Sequence, residues 1–358
     1  TGQYEELTRD LWLQDCCASP PSMEFSAGDL LVTTGDTVVR IDPATGAQEL
    51  ELPAIQGPGF GDLARGSGTS YFVRHGSSVL RFEPAAGVGT GGLISAVSVA
   101  PQFSPSEVPR SVAITPAGQV LVVVAQTLLL VDPATREILV GPPSVVDASS
   151  PGALDAEAAG DALAAHFDEI LLVEDGIGGV EEFAVGNNLS SIHSIFREAS
   201  GRVLALESDE IVRVFPDGPQ SIVTRNQIFA AADERDLTVA TGGDIFVTDG
   251  VTTDLIRIAA SNPNPDTNQS SVPGGADLGS ARGIAAENSG TLVVAVNNPG
   301  CRGVARVTPS IPSTSCFADG ARFEAPFGVA VMAPEPDAAA LALAAVGVLV
   351  LRSRVRRG

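Results

Sequence analysis

One unit recurs seven times along this chain: a glycine, a short apolar strand, a tight turn, and a second strand that often ends in an acidic-Pro corner. The instances begin at Gly28 (GDLLVTTGDTVVRIDPATG), Gly68, Gly118, Gly160, Gly201 (GRVLALESDEIVRVFPDG), Gly243 and Gly290, at spacings of 40, 50, 42, 41, 42 and 47 residues. Short strands at a period in the forties are the mark of a β-propeller with one four-stranded blade per repeat. A further strand precedes the later glycines, with a small residue and then an aliphatic at fixed offsets. Examples are Ser111-Val112, Ser194-Ile195, Asp236-Leu237 and Gly283-Ile284. Small residues suit the crowded innermost strand of such a blade.

The two ends of the chain complete one another. The segment Pro326 to Val331 has the pattern of an inner strand with nothing after it, whereas the Gly28 repeat has outer strands and no inner one. Joined, they make one blade from both termini and leave no open sheet edge. The expected fold class is therefore all-β, a seven-bladed β-propeller closed by N- and C-terminal strands, with a C-terminal hydrophobic helix beyond it. The expected domains are an N-terminal extension over 1–24, the propeller over 25–333 and a tail over 334–358. Segments 142–152 and 261–280, rich in Pro, Ser, Asn and Gly, read as long loops between blades.

Two repeated features belong to the fold. The strand after the turn carries Arg40, Arg81, Arg213, Arg257 and Arg306 at one position, with Leu130 and Leu172 in the other two repeats. A position repeated around the ring points to blade packing, the long Arg stems covering apolar surface. The corners Asp42-Pro43, Glu83-Pro84 and Asp132-Pro133 set a turn, because the carboxylate accepts backbone N–H groups and Pro presets φ. This D-P-x-T-G corner resembles those of quinoprotein-like and related bacterial surface propellers, which implies fold and nothing about chemistry.

A formal charge of −22 argues against nucleic acid as a partner and favours solubility. All 21 basic residues are Arg, and aromatics are only 5%, so the core must be built from aliphatic side chains. Of four cysteines, Cys301 and Cys316 flank a strand fifteen residues apart, a spacing that suits a disulfide in an oxidising compartment. Cys16 and Cys17 are adjacent, and their state stays open. A monomer is expected.

Eight residues before the repeat glycines, at the entrance to the inner strand, stand Arg110, His193, Arg235 and Arg282; the other repeats place Phe60, Gly152 and Phe327 there. In a ring, four basic groups then converge on one mouth of the central channel, and Arg forks suit carboxylate, sulfate or phosphate. Two readings stand: an anion site, or basic residues that pair with nearby acids such as Glu107 and Glu234 and tie blades together. His75 and His166 fall near hairpin turns on the outer part of their blades, a poor position for a central site.

No G-x-S-x-G elbow, H-E-x-x-H helix or phosphate loop is present. Gluconolactonase-like propellers hold calcium in the channel with Glu, Asn and Asp. Asp155, Asp236 and Glu287 lie on or beside inner strands here but in different columns, so no metal ligand set and no cofactor is expected. Calcium at the Asp249-Gly250 or Asn297-Asn298 turns is the one ion left open. A metal-dependent lactonase- or lyase-like enzyme is the rival to a non-catalytic binding or scaffold module.

The last 25 residues have another character. Pro334-Glu335-Pro336 precedes an apolar run from Ala338 to Leu351, followed by Arg352, Arg354, Arg356 and Arg357. As a helix the run is about 21 Å long, short of the roughly 30 Å hydrocarbon core. Its terminal position and the Arg cluster, which can snorkel and hold the end at the cytoplasmic side, favour membrane insertion over a frayed apolar terminus. This three-part tail resembles the PEP-CTERM sorting signal of Gram-negative bacteria. The resemblance implies an exported protein, an exosortase-type sorting enzyme as partner, and an address in the envelope, at the surface or in the extracellular matrix. The family occurs in bacteria that make exopolysaccharide, so an acidic polysaccharide or a surface protein is the expected ligand. Export also requires an N-terminal signal; the sequence given begins at Thr1 without Met or a hydrophobic segment, and the expectation is that the signal has been removed or left out.

Overall fold

The computed structural model describes the strands and part of the turns between residues 29 and 331. Residues 1–28 and 332–358 lie outside the described residues, as do many connections, among them 83–94, 98–108, 141–153, 226–235, 249–254 and 273–277. The expected N-terminal extension, Cys16 and Cys17, the 142–152 loop, and the sorting tail with its helix fall there. Among the described residues no helix is long and apolar enough to cross a membrane.

Every described strand belongs to a four-stranded antiparallel sheet, and there are seven such sheets. The first joins β1 (Leu30–Thr33), β2 (Val38–Ile41) and β3 (Gln48–Leu52) to β28 (Val329–Val331) from the far end of the chain, in the order β28-β1-β2-β3. The second holds β4 (Phe60–Arg65), β5 (Tyr71–His75), β6 (Ser78–Phe82) and β7 (Ser95–Val97). The third holds β8 (Pro109–Ile114), β9 (Val120–Val124), β10 (Thr127–Val131) and β11 (Ile138–Val140). The fourth is β12 (Leu154–Ala156), β13 (Ala162–His166), β14 (Glu169–Glu174) and β15 (Gly179–Val185). The fifth is β16 (Ser194–Arg197), β17 (Val203–Leu206), β18 (Glu210–Val214) and β19 (Gln220–Arg225). The sixth is β20 (Leu237–Val239), β21 (Ile245–Thr248), β22 (Leu255–Ile258) and β23 (Gln269–Ser271). The seventh is β24 (Ser280–Ala286), β25 (Leu292–Asn298), β26 (Cys301–Thr308) and β27 (Ser313–Asp319).

The first strands of successive sheets approach one another: β4 and β8, β8 and β12, β12 and β16, β16 and β20, β20 and β24, β24 and β28. The architecture is that of an all-β β-propeller. Second strands such as LLVT (β1), VLAL (β17) and IFVT (β21) are buried at every residue. Both faces of these strands are covered, so an unbroken apolar run replaces the alternation of a half-exposed strand. The core lies in layers between sheets. Leu163, Ala165 and Ile170 of the fourth sheet pack on Ile195, Val203 and Val212 of the fifth. At the closing sheet, Leu30, Val32, Val39 and Ile41 meet Val293, Val304, Ala318 and Phe323.

The repeat glycines close the turn between first and second strands. Gly201, Gly243 and Gly290 share φ near +80° (82°, 84° and 81°) and donate N–H to the carbonyls of Glu198, Ala240 and Glu287 at 2.8, 2.8 and 2.9 Å. A side chain is disfavoured in that conformation. At the Asp42 corner the carboxylate accepts the Ala44 N–H at 2.7 Å and the Thr45 hydroxyl at 2.8 Å, which hold its carboxyl below the ordinary range.

Among the described residues, four arginines of the ladder pair with an acid close to their repeat glycine. Arg213 and Arg306 meet Glu198 and Glu287, three residues before their glycines, at 2.8 and 2.7 Å. Arg257 and Arg40 meet Asp244 and Asp29, one residue after theirs; Arg257 Nε donates to Asp244 at 2.7 Å, and Arg40 lies 4.0 Å from Asp29. The sequence thus has two ways of placing a carboxylate against the same Arg. Cys301 and Cys316 are disulfide-bonded, their Cα atoms 5.5 Å apart.

Candidate functional site

Each sheet presents two columns of residues at the end where first strands begin. The first column is the entrance to the first strand. Phe60 opens β4, Arg110 sits where β8 shifts register against β9, His193 immediately precedes β16, and Arg282 lies within the register shift of β24 against β25. The structure therefore brings Arg110, His193 and Arg282 to one end of the propeller. Arg235 lies outside the described residues, with Gly152, Phe327, Glu107 and Glu234.

The second column is the residue closing the second–third hairpin. In successive sheets the closing pairs are His75 with Ser78, Val124 with Thr127, and His166 with Glu169. The next are Glu207 with Glu210 and, in the first sheet, Thr34 with Thr37. The register sets His75 opposite Phe60. His75 and His166 therefore lie at hairpin turns, as expected from sequence, at the end of the propeller that carries the first column and on second rather than first strands. A second–third hairpin must return to the end at which the first strand starts.

Around His193 the side chains are defined. Its N–H donates to the Leu206 carbonyl at 2.8 Å, and its Nε2 lies 3.1 Å from Ser208 Oγ on the β17–β18 turn. Next in that turn, Glu207 is fully buried. Its two carboxylate oxygens accept the Ser190 N–H at 3.1 Å each, and one accepts the Ser190 hydroxyl at 2.7 Å. Burial pushes the Glu207 carboxyl up to about 7 against the pull of the Ser190 bonds, with the negative charges of Glu210 and Asp209 adding to the rise. Glu207 thus latches the connection entering the fifth sheet to the turn above it.

At Arg282, half-buried, the tie between sheets runs through backbone. Its carbonyl accepts the Thr248 hydroxyl at 2.9 Å, and the Asp236 carboxylate accepts the N–H groups of Leu237 and Ile284 at 2.8 and 3.2 Å. Glu107 and Glu234, the acids expected to pair with the mouth arginines, lie outside the described residues. Asp236 and Glu287 are engaged with backbone N–H groups and Arg306, and Asn298 caps its turn through the Gly300 N–H at 3.0 Å. No group of three or more His, Cys, Asp or Glu spaced for a metal occurs among the described residues.

Sequence reasoning missed Glu207, Ser190 and Ser208. The signal was there in the repeat alignment, where the turn position after VLAL holds a Glu beside two polar residues, but turn residues are polar for many reasons.

No protein-family model matches this sequence, and no curated protein matches it. Solved structures do. A streptogramin B lyase superposes with a TM-score of 0.57 at 12% identity, covering 78% of this chain and 94% of that one. The virginiamycin B lyase of Staphylococcus aureus, in a catalytically inactive form with quinupristin, gives 0.57 at 14% identity, covering 78% and 95%. The extracellular domain of a one-component system from B. thetaiotaomicron gives 0.51 at 11% identity, covering 85% of this chain and 55% of that one. At these identities the likeness establishes the β-propeller fold.

Proposed function

We propose that this chain is an exported, surface-sorted propeller of seven blades, closed by strands from both ends of the chain, that binds a carboxylate-bearing ligand without transforming it. The ligand site is the mouth carrying Arg110, His193, Arg235 and Arg282, and its ligand class is acidic polysaccharide. The observation that carries this reading is the common placement of Arg110, His193 and Arg282 at the first-strand entrances of a protein whose formal charge is −22. Guanidinium forks are suited to planar carboxylates, and a local basic mouth on an acidic body attracts an anion to one place. Seven sheets in sequential contact support the blade count.

Delivery is assigned to the tail: Pro334, Glu335 and Pro336 as the sorting motif, the apolar run as a membrane helix, and Arg352, Arg354, Arg356 and Arg357 as its cytoplasmic stop. In a host with an exosortase, replacing Pro334-Glu335-Pro336 by alanines should leave the protein in the membrane fraction. Unchanged sorting would refute that assignment.

A second reading, a lactonase- or lyase-type enzyme, is favoured by the His193–Ser208 contact beside a buried acid and accords with the lyases that share the fold. One titration separates the two. The melting temperature of the full chain is followed against oligogalacturonate and, separately, against calcium; a ligand that binds the folded state raises it. A rise with the oligouronate, lost in Arg110→Ala/Arg282→Ala, supports the binding module. A rise with calcium alone moves the assignment to the enzyme, and no response to either leaves a scaffold.

A further inference from the structure

Glu207 has no exposed surface, yet Ser190, which donates its N–H and its hydroxyl to that carboxylate, is exposed. We propose that Glu207 is a pH-sensitive latch on the connection between the fourth and fifth sheets: protonated it holds Ser190 against the β17–β18 turn, and ionised it releases Ser190 and turns toward water. The protonated form suits the bonds seen. One oxygen accepts the Ser190 N–H, and the other exchanges a hydrogen bond with a hydroxyl that can accept as well as donate. The latch needs no ligand, so it goes beyond the binding reading of the mouth and stands apart from it.

The connection is pinned on both sides of Ser190. Before it, the Gly186 N–H donates to the Asp168 carbonyl at 2.9 Å and the Asn188 N–H to Gln220 Oε1 at 3.0 Å, and Leu189 is buried in the core shared by the two sheets. After it, Ile192 is fully buried in the same core, and the His193 N–H donates to the Leu206 carbonyl at 2.8 Å. Ser190 lies between these anchors with its polar groups on Glu207. The connection can therefore open at this residue without unpicking the sheets on either side.

Charge gives the latch its direction. Burial chiefly disfavours the ionised carboxyl in the latched form; Glu210 and Asp209 on the same turn add to this, and the Ser190 bonds act against it. Glu210 is itself engaged by Arg225, whose Nε lies 3.2 Å from its carboxylate, and His193 meets Ser208 on the turn. Of the elements packed on β16, β12 bears Asp155, and β20 follows Asp236, whose carboxylate accepts the Leu237 and Ile284 N–H groups. Release carries Glu207 from burial beside two acids into water, so ionisation and release favour one another. A carboxyl that titrates at about 7 when latched and at 4.5 in water makes opening easier as pH rises through that window. An imidazole held neutral and charged only when free would act in the opposite sense, with opening easier as pH falls.

The test is amide hydrogen exchange of the full chain, resolved by residue with NMR and expressed as protection factors, which removes the base catalysis of exchange itself. Ser190 should exchange ahead of Leu204, buried in β17. Its protection should fall about tenfold from pH 6 to pH 8, the factor that a carboxyl moving from about 7 to 4.5 on release imposes between those values. Glu207→Gln should hold the protection constant within about threefold over that range, and His193→Gln should keep the tenfold fall. A pH-independent Ser190 amide in the parent overturns the latch, as does a fall that survives in Glu207→Gln or vanishes in His193→Gln. Exchange of Ser190 and Leu204 at one common rate would mean that the blade opens only as a whole, and overturns it too. The two parent-chain readings decide the matter even where a variant fails to fold. Each outcome leaves the ligand reading of the mouth as it stands.

Discussion

Glu207 is a fully buried carboxyl on a turn that also carries Asp209 and Glu210, and Ser190 holds it from the preceding connection. Its folded value of about 7 stands above the ordinary 4.5. Below pH 4.5 both folded and unfolded chains hold the proton, and the site costs nothing. Between 4.5 and 7 only the folded chain keeps it, so stability falls as pH rises, and above 7 the loss is complete. The drop is on the order of 3 kcal/mol. Glu207→Gln, which keeps the shape and the neutral form, should flatten urea-unfolding stability between pH 5 and pH 8; a slope unchanged in the variant would show that other groups cause it. Arg40 poses the opposite case, a cation almost wholly buried 4.0 Å from the equally buried Asp29. Two other repeats hold Leu130 and Leu172 at this position, so the fold accepts an apolar side chain there. Arg40→Leu alone should nevertheless destabilise by about 3 kcal/mol, because it removes the positive charge beside the buried Asp29. Adding Asp29→Ala should recover part of that loss in a double-mutant cycle by denaturant unfolding, and strict additivity would deny the pairing.

At the scale of the strand and its turn, the sequence showed most of what matters. The repeat glycine, the apolar run and the acidic-Pro corner are local instructions, and the structure follows them at Gly201, Gly243, Gly290 and Asp42. Partner choice was harder to see. That Arg213 and Arg257 find acids at different offsets from the glycine becomes plain only once the turn is folded. The hairpin β26–β27 shows the same limit. Gly303 has φ of +153°, and a Cβ there would lie 2.2 Å from the Ala318 carbonyl oxygen on the neighbouring strand, a backbone approach that no repeat pattern announced. Gly303→Ala should cost more than 2 kcal/mol, since a backbone atom cannot step aside as a side chain can. In the same hairpin the Cys301–Cys316 bond closes a 15-residue separation, and replacing both by Ala should cost about 3 kcal/mol in the chain-entropy account. Denaturant midpoints of both variants check these values; a disulfide variant as stable as the parent would mean the hairpin is already ordered when unfolded.

Over the whole molecule, the decisive contact joins strands some 300 residues apart in sequence: Leu30, Leu31 and Val32 of β1 pair with Val331, Ala330 and Val329 of β28. The sequence made this visible because two incomplete repeats at opposite ends were complementary. The mouth was legible only in part, since one column could be counted from the repeat glycines, whereas the second needed the hairpin register. Closure has a consequence of its own. Without β28, the backbone groups of β1 form an exposed sheet edge, and an unpaired edge invites pairing with another chain. The apolar cluster shared by the first and seventh sheets also loses Val329. A chain ending at residue 335, with β28 and without the tail, should unfold in one cooperative step as a monomer. A chain ending at residue 325 should melt lower, lose cooperativity and form dimers or larger species in light scattering. If the shorter chain is equally stable and monomeric, the ring does not depend on its last strand, and closure by the two termini is not what holds it together.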